Sequence, residues 1–194
     1  IKLTIAYEGS EYVGWQRQPN GRSIQGLIED SFRRIEGAPV TIIGAGRTDA
    51  GVHALGQVAS ARITHAIGVA DLVRALNAML PSDIRVLEAI EMPKSFDARK
   101  SSVGKVYRYR VVTGPFVSPF ERRYAWHIEK PLDCRAMQDG GKAFLGEHDF
   151  AGFQTTGSDV KTSVRRISRL DVNEVDLDRT AGGGRLMTIE VEGN

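Results

Sequence analysis

Over the first ninety residues the apolar side chains recur at every second position, then at every third or fourth, and then revert. They do this twice, and no other feature restricts the possible folds as tightly. Ile1, Leu3 and Ile5 alternate with Lys2, Thr4 and Ala6, the period of a half-buried strand. Ser23 stands where a helix cap belongs, and Ile24, Leu27, Ile28, Phe32 and Ile35 follow at helical spacing until Gly37 and Pro39. Residues 40–44 and 57–63 read as strands on either side of a glycine-rich turn. Val69, Leu72, Val73, Leu76 and Leu80 predict a second amphipathic helix stopped by Pro81, and residues 84–90 a further strand. The order β-α-β-β-α-β is that of a split, ferredoxin-like unit.

The second half opens similarly. Residues 105–112 are strand-like, 122–127 extend or pair with them, and Asp133 starts a weaker helix to Leu145 that carries Gly140 and Gly141. Residues 164–172 and 187–191 are strands joined by a glycine-rich turn at 182–184. The fold class is therefore α+β: two ferredoxin-like halves, residues 1–99 and 100–194, sharing one mixed, mostly antiparallel sheet. On this plan the second half is short of a helix and a strand. With no initial Met and an end in mid-pattern at Glu192-Gly193-Asn194, the reading is a fragment, truncated at its C-terminus and inactive as it stands.

Apolar residues make up 41% and charged residues 26%, as in a globular protein. No run approaches the ~18 apolar residues of a membrane span, and the opening strand has no basic segment of a signal peptide. Cys134 is the one cysteine, and His53, His65, His127 and His148 are scattered, so neither a disulfide nor zinc spacing exists. A cytoplasmic protein without metal or cofactor is the expectation. Net charge is only +2, but Lys94, Arg99, Lys100, Lys105, Arg108 and Arg110 gather together, as do Lys161, Arg165, Arg166 and Arg169. Acidic residues collect at 171–178. Such patches suit a polyanion docked on one face; they equally suit solvated strand edges guarded against aggregation.

The segment Gly44-Ala45-Gly46-Arg47-Thr48-Asp49-Ala50-Gly51-Val52-His53 lies between two apolar strands. Its small residues permit close approach of a ligand. A carboxylate there, Asp49, can serve as nucleophile, base or metal ligand, or can simply bond local backbone while Arg47 points to solvent. Thr-Asp-Ala-Gly, present once, is not the doubled Asp-Thr/Ser-Gly of aspartic proteases. Gly51 stands where an Asp-x-Asp phosphatase needs its second carboxylate, and no phosphate loop occurs.

Read whole, the ten residues resemble the active-site motif of the TruA family of tRNA pseudouridine synthases. Other segments resemble that family in the same order. They are Tyr7-Glu8-Gly9-Ser10-Glu11-Tyr12-Val13-Gly14-Trp15-Gln16-Arg17-Gln18, Ser23-Ile24-Gln25 and Leu76-Asn77-Ala78-Met79-Leu80-Pro81-Ser82-Asp83-Ile84. Further along come Phe96-Asp97-Ala98-Arg99, Lys105-Val106-Tyr107-Arg108-Tyr109 and Phe144-Leu145-Gly146-Glu147-His148-Asp149-Phe150-Ala151-Gly152-Phe153. The resemblance implies an isomerase that cuts the uracil N1–C1′ bond, turns the base and rejoins it through C5, with no cofactor or metal. It implies Asp49 as nucleophile, at the sugar C1′ or on the uracil ring, and Arg47 in the space of a flipped nucleotide. Tyr107 would stack on the target uracil; without the resemblance it reads equally as a core aromatic. It also implies tRNA as substrate, modified in the anticodon stem-loop, a homodimer, and a basic partner for Asp49 beyond Asn194.

Tyr107 and Tyr109 share one face of their strand and Arg108 and Arg110 the other, which is then a phosphate track or a solvated face. Arg17 and Gln18 contact RNA or cap a turn, and Trp15, Phe150 and Phe153 are read as core. A rival from the same topology is a non-catalytic RNA-binding module of the RRM kind. Its aromatic strand signature is missing, and Gly104-Lys105-Val106-Tyr107 only brushes it. An aspartyl phosphoryl-transfer enzyme would need Mg²⁺ and a second carboxylate beside Asp49.

Overall fold

The computed structural model describes residues 1–154, 162–177 and 183–194; Lys161, Asp178 and Gly182, named above, lie outside the described residues. The chain divides into two units, Ile1–Ser102 and Val103–Asn194. Among the described residues no helix is long and apolar enough to cross a membrane.

In the first unit Leu3, Ile5 and Tyr7 point to one side of strand β1 (Lys2–Tyr7) and are buried, as the two-residue alternation requires. Helix α1 (Ile24–Glu36) starts where the Ser23 hydroxyl accepts the Gly26 N–H (3.2 Å), and closes with the Gly37 N–H on the Arg33 carbonyl. Strand β2 (Ile42–Gly44) is shorter than expected, because its pairing with β3 (Ala54–Ala61) begins only at Ile42↔Ala61. Strand β3 starts earlier than expected because Ala54 already pairs with Tyr7. Helix α2 (Val69–Met79) is tied to β4 (Ile84–Ile90) through Asn77, whose side-chain amide exchanges two 2.8 Å bonds with the Val86 backbone. The sheet order β2-β3-β1-β4, antiparallel throughout, is the ferredoxin-like one. Phe32, Ile28, Leu72 and Leu76 from the helices meet Ile5, Ile84 and Val86 in its core.

The outer edge of β2 is closed by α1. The Ile42 N–H donates to Glu29 Oε1 (3.2 Å) and its carbonyl accepts from Gln25 Nε2 (2.9 Å), so this short edge offers little to a foreign strand.

The second unit contains β5 (Lys105–Thr113), β6 (Trp126–Ile128), α3 (Cys134–Gly141), β7 (Gly146–Asp149), β8 (Val164–Asp176) and β9 (Arg185–Gly193). Its strand order is β6-β5-β9-β8-β7, with β6 parallel to β5 and the rest antiparallel. Asp133 caps α3 through the Ala136 N–H (3.0 Å). The helix expected to reach Leu145 ends at Gly141, and Lys142–Phe144 tighten into a 3₁₀ turn; two glycines at its end weaken the helix there. Val111, Cys134, Val172 and Met187 form the buried centre.

The α+β class stands. Among the described residues the strands pair as two sheets, β2-β3-β1-β4 and β6-β5-β9-β8-β7.

Candidate active site

The segment from Gly44 to His53 leaves β2, turns and enters β3. Its main chain is held at almost every step. Ala45 N–H donates to Val58 O (2.8 Å), Gln57 Nε2 to Gly46 O (2.8 Å), Trp15 N–H to Thr48 O (2.9 Å), and Gly51 N–H to Tyr12 O (3.4 Å). The turn itself closes with Val52 N–H on Asp49 O (3.2 Å). The Tyr7 hydroxyl meets Thr48 Oγ1 at 2.8 Å, and Gly9 N–H donates to His53 Nδ1 (3.0 Å). Burial pushes the Tyr7 phenol up, and the bond to Thr48 works against that shift.

The first signature segment is thus the bed on which the glycine-rich loop lies. Its small residues are required by close approach: a Cβ on Gly9 would fall 2.1 Å from Val52 O, and one on Gly14 2.5 Å from Thr48 O. Gly14 also has φ 104°, a conformation unfavourable for any side chain. Trp15 is buried below the loop, its ring 6.1 Å from that of Tyr7. The segment around Pro81 joins the same assembly. Glu8 N–H donates to Asp83 O, and the Tyr12 hydroxyl donates to Asp83 Oδ1 at 2.6 Å. Burial and that carboxylate push the Tyr12 phenol well up.

On this bed Arg47 and Asp49 are exposed. Among the described residues neither the Asp49 carboxylate nor the Arg47 guanidinium has a hydrogen-bond or ion-pair partner. Arg47 borders an open groove of ≈ 380 Å³ between the β2 edge at Thr41 and Ile43 and the residues Asp97, Arg99 and Lys100. No three His, Cys, Asp or Glu side chains group to hold a metal among the described residues.

The other expected site residues have different surroundings. Arg17 is paired along α1 with Glu29 (3.0 Å) and Asp30 (3.1 Å), and Gln18 bonds the Val13 carbonyl as a turn cap. In the second unit the Tyr107 ring is 49% exposed, so it is no core aromatic. Arg108 and Arg110 are neither bare nor merely solvated. Arg108 Nε lies 2.6 Å from Glu190 Oε1, and Arg110 lies 2.7 Å from Glu121. Glu190 also meets Arg169, which reaches Asp171 and Glu192, so an ion-pair ladder crosses β5, β9 and β8. Trp15 is core as expected, but Phe153 is not. It sits in a 3₁₀ turn, 75% exposed, with its ring against Phe144 (5.9 Å) and Phe150 (6.0 Å) rather than in the Val111–Met187 centre.

Two residues, quoted in the sequence only inside longer segments and given no role there, gain one in the structure. Gln25, buried, accepts the Arg17 N–H (2.9 Å) and donates to Ile42 O and Glu29, joining the N-terminal segment to the strand that delivers the loop. A polar side chain at a core position of an amphipathic helix is the signal that could have found it. Asp97, the second, orders the turn bordering the groove.

The first unit's sheet face away from its helices carries Lys2, Thr4, Ala6 and Val58, and no aromatic ring at these positions.

A family model described as tRNA pseudouridine synthase matches residues 3–99, which hold the whole loop and its bed. The protein named tRNA pseudouridine synthase A of Syntrophotalea carbinolica is 40% identical over 91% of this chain and 70% of its own length. Its namesake from Myxococcus xanthus is 45% identical over 92% of this chain and 67% of its own. That of Geotalea uraniireducens is 42% identical over 100% of this chain and 76% of its own. The chain belongs to the TruA family of tRNA pseudouridine synthases.

Proposed function

We propose that the chain isomerises uridine to pseudouridine in the anticodon stem-loop of tRNA, with Asp49 as the nucleophile. The reaction breaks the N1–C1′ glycosidic bond and forms a C5–C1′ bond. The C5 proton is lost and N1 gains one, so neither oxidant nor reductant enters. Attack at C1′ or on the uracil ring calls on the same carboxylate. Arg47, two residues before Asp49, fills the place of the flipped nucleotide and offsets part of the few kcal/mol that unstacking costs. Tyr107 offers an exposed ring and a hydroxyl to the uracil. The functional form is a cytoplasmic homodimer.

The observation that carries this reading is the presentation of Arg47 and Asp49. The backbone around them is fixed from below by Tyr12 and Trp15, while both side chains stand exposed. A preorganised backbone with unengaged functional groups is what a nucleophile needs in order to meet its target without rearrangement.

Carbodiimide labelling of tRNA incubated with the full-length protein reads the isomerisation, which leaves mass unchanged. Asp49→Asn, nearly isosteric, should lower the rate by far more than tenfold, beyond ~1.4 kcal/mol of transition-state stabilisation, while tRNA affinity stays within about twofold. A variant that keeps more than about a tenth of the parent rate would remove Asp49 from the chemistry.

A further inference from the structure

The chain beyond β4 is built into the first unit rather than draped over it. Ala98 is 2% exposed, and its N–H donates to Ser60 Oγ on β3 (3.1 Å). One carboxylate oxygen of Asp97 accepts the backbone N–H groups of both Arg99 and Lys100 at 2.9 Å, and Ser101 N–H closes the turn on the Asp97 carbonyl (2.9 Å). This is a turn whose first side chain organises the two amides that follow.

Its effect is electrostatic as well as structural. The Asp97 charge is directed at main-chain amides, while Arg99 and Lys100 are exposed and line the groove that Arg47 borders. Among the described residues none of these three cations has a carboxylate partner, unlike Arg17, Arg108, Arg110, Arg169 and Arg185. Three cations therefore face a volume of ≈ 380 Å³ whose one carboxylate is already committed. The groove is open rather than enclosed, the form that accommodates a passing strand rather than a buried small molecule.

We propose that this groove holds the phosphodiester backbone of the tRNA beside the nucleotide displaced by Arg47. Arg99 and Lys100 contact phosphates, and Asp97 is the positioning residue that sets their turn. The assignment rests on the reading of Arg47 given above. Phosphate contacts carry no sequence information but fix register, so the groove would determine which nucleotide arrives at the loop rather than identify it.

The test is binding of an unmodified tRNA transcript to the protein across a range of salt concentrations. Each phosphate contact contributes roughly 0.7 to 0.9 to the slope of log affinity against log salt. The double variant Arg99→Gln/Lys100→Gln should therefore lose about 1.4 to 1.8 from that slope. Arg33→Gln/Arg34→Gln, which removes the same charge from the exposed end of α1, should leave it unchanged. Asp97→Ala should weaken binding, and Asp97→Asn, which keeps an accepting oxygen, should restore it. An unchanged slope in the Arg99/Lys100 variant overturns the proposal, and so does an equal loss in the Arg33/Arg34 control. Carbodiimide labelling of the same tRNA separates the two readings. If the full-length protein makes no pseudouridine the isomerase assignment fails, and the salt slopes still decide the groove.

Discussion

Gly14 shows how much of the site depends on residues that do no chemistry. Its φ of 104° places it where an added Cβ is strained by roughly 1–3 kcal/mol, and that Cβ would also lie 2.5 Å from the Thr48 carbonyl. Gly14→Ala should destabilise the first unit by at least about that much in a urea titration. It should also cut pseudouridine formation beyond what unfolding accounts for, because Thr48 is the residue before Asp49. Equal losses in folded fraction and in rate would show that the contact is structural alone. That Arg47 and Asp49 share one exposed loop was legible in the sequence, because a ten-residue string places them together. The reason for Gly14 was not, since its neighbour Thr48 is remote in sequence. The same holds for Arg17, Arg108 and Arg110. A cation is visible in a sequence, but the carboxylate that claims it, on α1 for Arg17 and on β9 for Arg108, is not.

Elements were read well wherever local chemistry sets their limits. The caps at Ser23 and Asp133 and the strand Ile84–Ile90 fall where side-chain period and capping residues place them. Strand β6 pairs with β5 as residues 122–127 were expected to, but is confined to Trp126–Ile128, whereas β7 was not foreseen: Gly146–Asp149 is almost wholly polar and carries no alternating pattern. Both exist because a longer neighbour offers an edge. Among the longer strands, β9 is held partly by charge. Arg108 and Arg169 hold the Glu190 carboxyl below its ordinary 4.5. A carboxylate whose pKa is lower folded than unfolded stabilises above the unfolded value, and that contribution is lost as pH falls through the folded one. Glu190→Gln should therefore lower Tm at neutral pH. The gap to the parent should shrink as pH drops below 4.5 and close beneath the carboxyl's lowered pKa. A gap that is constant with pH would mean that packing, not charge, is what the substitution removes.

At the scale of the molecule, the loop, its bed and the groove all belong to the unit Ile1–Ser102, and the matched family region covers nearly the same residues. The 2.9 Å bond from the Trp15 amide to the Thr48 carbonyl spans two stretches of chain that meet only when β1, β2 and β3 have assembled. The Trp15 amide proton is therefore a timer for the whole unit. Local openings cost anywhere from nothing to the full unfolding free energy, and this amide should sit at the expensive end. In deuterium exchange its protection should match that of Leu3 and Ile5 in the sheet within about tenfold, or ~1.4 kcal/mol, while Arg47 on the exposed loop exchanges early. If Trp15 exchanges as fast as Arg47, the loop breathes off its bed independently of the core. If it exchanges with Leu3, Asp49 is set in place in the same cooperative step that closes the sheet, and a partly folded chain never displays the loop half-made.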